Sequence, residues 1–215
     1  MLSLLSKQHA KVYDTLADDY EKNIPNYYEP TKTAIEILAK NLPPDADILD
    51  VGCGAGLASE LLYNKGFKIT SMDLSPNMIA YTKKRNPNGR AIVGDFLTHK
   101  FQEEFDAIIA LAFIHLFPKK TAKTIVKKMY KLIKPGGFLY IGTTKSDVSK
   151  EGWELKKDSF FPESVEKRYR KHWTEDELKE TLCGGGFKFK ELHLIDDPRH
   201  KTWMDFLMLR SYQND

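Results

Sequence analysis

Short runs of β-branched and apolar residues alternate along the chain with longer segments whose apolar positions recur at helical spacing. Residues 47–51, 67–72, 91–93, 105–111 and 138–143 read as strands, and residues 57–64, 76–84 and 119–133 as the helices between them. Elements in that order predict βαβ units on a parallel sheet. The run 105–111 is apolar at nearly every position, which predicts a central strand covered on both faces. Two helices are expected before the first strand, over 7–21 and 31–40; the second starts after Pro30 and is stopped by Asn41-Leu42-Pro43-Pro44. Lys134-Pro135-Gly136-Gly137 breaks the pattern before the fifth strand.

Late in the chain, Thr174 followed by Glu177 predicts a capping box, and Gly184-Gly185-Gly186 ends the helix it starts. Residues 187–195 and 203–210 then predict an antiparallel pair turning at Asp196-Asp197-Pro198. The stretch 145–173 is too long for an ordinary connection, so a lid or binding element is expected there.

A chain of 215 residues supports one sizeable core, and 41% hydrophobic with 29% charged residues is a globular composition, so a single domain over 1–215 is expected. The 33 Lys and Arg against 30 acids leave a formal charge of +3, too small an excess to demand a polyanionic partner. Cys53 and Cys183 show no CxxC or Cys/His spacing, so zinc and a disulfide framework are unsupported and a reducing compartment is expected. Met1-Leu2-Ser3-Leu4-Leu5 is soon followed by Lys7 and has no proper signal core. The longest apolar run, 108–117, falls short of the roughly 20 residues that span a bilayer. These features predict a soluble, cytoplasmic protein with no membrane partner.

The chemistry concentrates in Ile48-Leu49-Asp50-Val51-Gly52-Cys53-Gly54-Ala55-Gly56, a strand running into a glycine-rich turn and then a helix. Glycines serve where a chain turns tightly or where a ligand must touch backbone. A dinucleotide fingerprint would need glycine at Leu57, and no GxxxxGK[ST] loop is present, so neither a diphosphate nor a triphosphate cradle is supported. Asp50, Asp73 and Asp95 follow at the carboxyl ends of the first three strands. Asp50 faces the crevice where open α/β sheets bind ligands and suits a cation; Asp73 can accept both hydroxyls of a ribose. Asp95 can accept from an adenine amino group while Phe96 covers the ring. The ligand that meets all three acids, with an ammonium, a ribose diol and an adenine but no phosphate, is S-adenosylmethionine. Taken singly, the glycine turn also fits a tight βα connection, and Asp95 a helix cap or turn residue.

With these motifs in hand, the chain resembles the class I S-adenosylmethionine-dependent methyltransferases of the small-molecule type. Residues 48–56 match that family's first motif, Met72-Asp73-Leu74-Ser75 its second, Gly94-Asp95-Phe96 its third, 105–117 its fourth and 132–137 the turn before its fifth strand. The resemblance covers about 13–210. It implies a Rossmann-like α/β fold: a seven-stranded, mostly parallel sheet of order 3-2-1-4-5-7-6, the last strand antiparallel, with helices on both faces. It implies that Gly52, Cys53 and Gly54 approach the methionine part with Asp50 behind them, and that Asp73 holds the ribose. Asp95 and Phe96 would hold adenine, Leu74 and Met78 pack on the adenosine, and Ala110 and Leu111 border the methionine end. Tyr13, Ala17 and Tyr20 match an opening in which a helical lid, over about 1–40, covers the cofactor; aromatics that merely pack are the competing reading.

A sulfonium carries its own leaving group, so the protein must mainly align a nucleophile and exclude water. For a hydroxyl or ammonium acceptor a base takes the proton, and His115, after the fourth strand, is the candidate; its apolar neighbours also fit a satisfied core histidine. Residues 145–173 occupy the position of the family's acceptor-binding region. There Arg168, Tyr169 and Arg170 set charge beside aromatic rings, suiting a carboxylate or phosphate on the acceptor; a solvated basic face balanced by Glu163 and Glu166 is the alternative. The expected reaction is in-line methyl transfer to oxygen or nitrogen of a small molecule. Ala110-Leu111-Ala112-Phe113 stands where base-amino methyltransferases carry Asn/Asp-Pro-Pro-aromatic, which disfavours nucleic acid, and no acidic pair there suggests a metal. An RNA or protein methyltransferase and a non-catalytic S-adenosylmethionine-binding protein are the alternatives.

Overall fold

A computed structural model describes residues 3–156, 161, 164, 166–197 and 200–212. Pro198 of the expected turn, and residues 157–160, 162, 163 and 165 of the expected insertion, lie outside these. Helices α1 (Leu4–Thr15), α2 (Ala17–Lys22) and α3 (Ile24–Ala39) open the chain. Strands β1 (Asp47–Val51), β2 (Lys68–Asp73), β3 (Arg90–Val93), β4 (Phe105–Leu111) and β5 (Ile133–Thr144) follow, joined in part by α4 (Leu57–Tyr63), α5 (Pro76–Arg85) and α6 (Lys119–Leu132). A hairpin of β6 (Lys150–Leu155) and β7 (Lys167–His172) precedes α7 (Glu175–Cys183), β8 (Lys188–Asp196) and β9 (Thr202–Leu209).

Among the described residues the main sheet has seven strands in the order β3-β2-β1-β4-β5-β9-β8, with β9 antiparallel to both neighbours and the other pairs parallel. With the hairpin strands set aside, this is the order 3-2-1-4-5-7-6. Strand alternation splits the core into two layers. Ala107 and Ile109 of β4, Tyr140 of β5 and Leu207 of β9 pack with Ile35 and Leu38 of α3 and Leu62 of α4. Ile108 and Ala110, Leu139 and Ile141, and Phe206 and Met208 pack on the other face with Ile125 and Met129 of α6 and Leu178 and Leu182 of α7. The central strands are thus covered on both sides, as the apolar run 105–111 predicts.

Four local expectations change. The helix expected over 7–21 is interrupted at Leu16, which leaves helical geometry (φ −93°, ψ 7°) between α1 and α2. The helix expected from residue 31 begins at Ile24, with Pro25 in its first turn, where a missing N–H costs no intrahelical bond. It then runs through Pro30, because Ala34, Ile35 and Leu38 bury one face of it against the sheet and offset the lost bond. Strand β5 starts at Ile133, pairing with Phe105 before a register shift at Lys134-Pro135-Gly136-Gly137. Finally, Thr174 caps α7 by accepting from Glu177 N at 3.3 Å, but the Glu177 carboxylate does not complete a capping box. It pairs instead with Lys119 Nζ at 2.8 Å and Lys171 Nζ at 2.6 Å.

Candidate active site

The turn after β1 is built by its own backbone. Gly52 N and Cys53 N both donate to the Met72 carbonyl, at 2.8 and 3.1 Å, so the loop is fastened to the end of β2. Thr82 Oγ1 donates to the Gly54 carbonyl at 2.9 Å and lies 3.5 Å from Cys53 Sγ. Gly54 and Gly56 hold left-handed φ values of +54° and +90°, which L side chains rarely adopt. Their surroundings differ. A Cβ on Gly56 would stand 2.7 Å from Thr82 Cα, whereas a Cβ on Gly54 would meet nothing within 4 Å. Gly56 is a packing glycine; Gly54 leaves a cradle.

The three acids surround this cradle. Asp73 accepts from Gly54 N at 3.0 Å and from Ser75 N at 2.9 Å, which fixes both the turn and the start of α5. Burial pushes its carboxyl above the usual carboxylate range against those two bonds. Asp50 accepts from Ser59 Oγ at 2.7 Å, and burial, reinforced by the nearby Asp73 charge, pushes it up to about 7. Asp95 accepts from Leu97 N at 2.9 Å and from Ser6 Oγ of α1 at 2.7 Å. Helix α1 is also tied through Asp14, which accepts from Ser75 Oγ at 2.7 Å and Asn77 N at 3.0 Å.

One cavity runs from this cradle toward the ends of β4, β5 and β9. Of the residues singled out above, Asp50, Gly52, Cys53, Gly54 and Asp73 line it, with Leu74, Met78, Asp95 and Phe96. Tyr20, Leu111, His115, Arg168 and Arg170 line it too. Ala110 and Tyr169 do not. Ala110 faces the core layer with α6, one step out of phase with Leu111. Tyr169 sits opposite Trp153 across the hairpin, the rings 5.8 Å apart, because successive side chains of β7 point to opposite faces.

At the far end the cavity gains charge. Arg168 Nη1 donates to Tyr13 Oη at 2.9 Å, and Arg170 Nη2 to Thr144 Oγ1 at 2.5 Å. Glu154 lies 3.9 Å from Arg168 and 3.5 Å from Arg170, but both buried Nε atoms lack a hydrogen-bond partner. Burial and repulsion by Arg168 hold the Arg170 guanidinium below its ordinary range. His115 Nδ1 lies 2.9 Å from Thr143 Oγ1. Burial, then Arg170, Arg168 and Lys156, push the His115 imidazole well below its ordinary range, so it is neutral. Two further groups carried no signal strong enough to single them out: His9 on α1, and Asp205 on β9, which accepts from Tyr140 Oη at 3.0 Å and is pushed up to about 6 by burial. An acid inside the otherwise apolar run 203–209 was the available clue to the second. Among the described residues, no cluster of His, Cys, Asp or Glu could hold a metal ion, and no helix is long and apolar enough to cross a membrane.

Residues 48–137 match the family model described as a methyltransferase domain. A malonyl-(acyl-carrier protein) O-methyltransferase of Priestia megaterium is 35% identical over 140 residues, covering 63% of this chain and 48% of that protein. A ubiquinone biosynthesis O-methyltransferase of Xanthomonas axonopodis pv. citri is 30% identical over 114 residues, covering 50% of this chain and 46% of that protein. The chain thus spans about half the length of these curated relatives. The crystal structure of a Burkholderia thailandensis 1,6-didemethyltoxoflavin-N1-methyltransferase, with bound 1,6-didemethyltoxoflavin and S-adenosylhomocysteine, aligns with a TM-score of 0.75 at 18% identity, over 99% of this chain and 92% of that one. At that identity the likeness is one of fold.

Proposed function

We propose that the chain is a class I S-adenosylmethionine-dependent methyltransferase and transfers a methyl group from S-adenosylmethionine to an oxygen or nitrogen of a small molecule, a reading supported by the methyltransferase-domain match over 48–137 and by the shared fold. The observation that carries this reading is the cradle: open space where a Gly54 side chain would stand, with three buried or half-buried acids around it. Gly52, Cys53 and Gly54 take the methionine part, and Asp50 its ammonium. Asp73, already fixed by two backbone N–H groups, keeps lone pairs for ribose hydroxyls. Asp95 and Phe96 take adenine, and Leu74, Met78 and Leu111 flank the ligand. When bound, S-adenosylmethionine supplies an electrophilic methyl on a sulfonium that leaves as a thioether.

The remaining work falls to the chain. Helices α1 to α3, residues 4–39, close the cavity with Tyr13, Tyr20 and Tyr27 and exclude water. Arg168 and Arg170 hold a carboxylate or phosphate of the acceptor and so orient its nucleophile. Neutral His115, anchored through Nδ1, keeps Nε2 for the acceptor's proton. Calorimetric titration with S-adenosylhomocysteine tests the reading at its base: saturable binding is expected, and its absence refutes the proposal. Release of S-adenosylhomocysteine from S-adenosylmethionine on addition of an acceptor separates an enzyme from a non-catalytic binder.

A further inference from the structure

Resting on that reading, we propose that His9 is a specificity-determining residue of the acceptor site, recognising a hydroxyl that the acceptor carries beside its anion. His9 projects from α1, is 1% exposed, and lines the same cavity as His115 and Arg168. Neither ring nitrogen makes a well-formed hydrogen bond; the Tyr169 backbone is close enough to one N–H to favour the charged ring, and the other nitrogen is left bare. Its neighbours explain the packing but not the imidazole: Tyr13 and Phe117 meet it edge-on, with ring centroids 6.3 and 6.1 Å away. A phenylalanine would satisfy those contacts equally well. A buried polar group left unpaired is destabilising, so its retention is explained when a ligand supplies the missing bonds.

The chemistry of that ligand follows from what surrounds His9. Burial first, then the Arg168 charge, lower the imidazole to about 4 while the Tyr169 backbone favours the charged form, so the ring is neutral near pH 7. A neutral imidazole offers one N–H donor and one bare nitrogen. Arg168 Nε has no hydrogen-bond partner and Arg170 Nε has only a 3.5 Å ion pair with Glu154; both are donors only, and they call for an anion. The bare nitrogen of His9 calls for a donor on the same molecule. Tyr13, Tyr20, Phe113, Phe117 and Trp203 around the same cavity favour an aromatic body between them. A hydroxylated aromatic carboxylate meets all of these demands, whereas the unhydroxylated acid leaves His9 unpaired.

The test uses the full chain loaded with S-adenosylhomocysteine and titrated calorimetrically with benzoate and with ortho-, meta- and para-hydroxybenzoate. Binding of S-adenosylhomocysteine is measured first, and its failure overturns the methyltransferase reading rather than this one. At least one hydroxybenzoate is expected to bind about fivefold more tightly than benzoate, the worth of one net hydrogen bond. His9→Phe is expected to erase that preference while leaving affinity for benzoate and for S-adenosylhomocysteine unchanged, and His9→Gln, which keeps a donor and an acceptor, to restore part of it. Equal affinities in the unmodified protein, no binding of any of the four probes, or a preference that survives in His9→Phe overturns the inference.

Discussion

Alanine at Gly54 and alanine at Gly56 are the same chemical change two positions apart, and the site as described requires opposite outcomes. Both glycines have positive φ, so either alanine costs about 1–2 kcal/mol of left-handed strain, partly offset by the roughly 0.4–1 kcal/mol gained from a stiffer unfolded chain. At Gly54 that is nearly the whole effect on stability, because the new methyl meets nothing within 4 Å. At Gly56 the methyl stands 2.7 Å from Thr82 Cα, a backbone atom that cannot rotate away, and overpacking adds about 1–3 kcal/mol. Urea unfolding is therefore expected to show a loss of about 1 kcal/mol for Gly54→Ala and about 2–4 kcal/mol for Gly56→Ala. Calorimetry should show the reverse order for S-adenosylhomocysteine, with Gly54→Ala binding at least about tenfold more weakly because its methyl fills the cradle. Unchanged affinity in Gly54→Ala, or affinity losses that merely track the stability losses, refutes the placement of the ligand.

Three further outcomes follow from the same geometry. Asp73→Ala strips the partner from Gly54 N and Ser75 N and is expected to weaken S-adenosylhomocysteine binding by about 1–3 kcal/mol by calorimetry. Asp50 is raised on folding, so the stability its protonated form contributes is complete below the ordinary carboxylate range and is lost as pH rises through about 7. A cationic ligand group prefers the ionised form, so S-adenosylhomocysteine affinity should rise over that interval, and Asp50→Asn should flatten both curves in urea unfolding and calorimetry. Ser6→Ala removes the donor that joins α1 to Asp95 and should raise the rate of limited proteolysis within residues 4–15 about fivefold, with little change in the global unfolding midpoint.

The residues proposed to hold the cofactor could be gathered from the sequence because they are contiguous in it, and the structure brings them to one cavity. Asp50 to Gly54, Asp73 to Met78, and Asp95 with Phe96 each sit at the end of one strand, and a parallel sheet of consecutive strands brings such ends together. The proposed acceptor half lacks that regularity. It is assembled from α1, the end of β5, β7 and β9, elements distant in sequence whose meeting depends on the hairpin and on the reversed strand. Arg168 and Arg170 were visible as charge, but their separation from Tyr169 follows only from the strand period once β7 is recognised as a strand. Pro30 misled for a different reason: local propensity places a helix boundary there, and burial of Ala34, Ile35 and Leu38 overrides it.

Helix α1 joins the two halves. Over twelve residues it donates from Ser6 to Asp95, accepts at Asp14 from Ser75 and Asn77, and accepts at Tyr13 from Arg168, while Gln8 Nε2 donates to the Lys167 carbonyl at 3.1 Å. The first two attachments reach the loops after β3 and β2; the last two reach β7. One twelve-residue helix thus spans both ends of the cavity, about 18 Å along its axis. Contacts at both ends of the cavity therefore share this one helix. His9 lies between those attachments, so displacing α1 would move its imidazole out of the cavity together with the contacts to Asp95 and Ser75. The proposed cofactor and acceptor ends therefore share one cover, and a substitution that loosens α1 is expected to weaken binding at both.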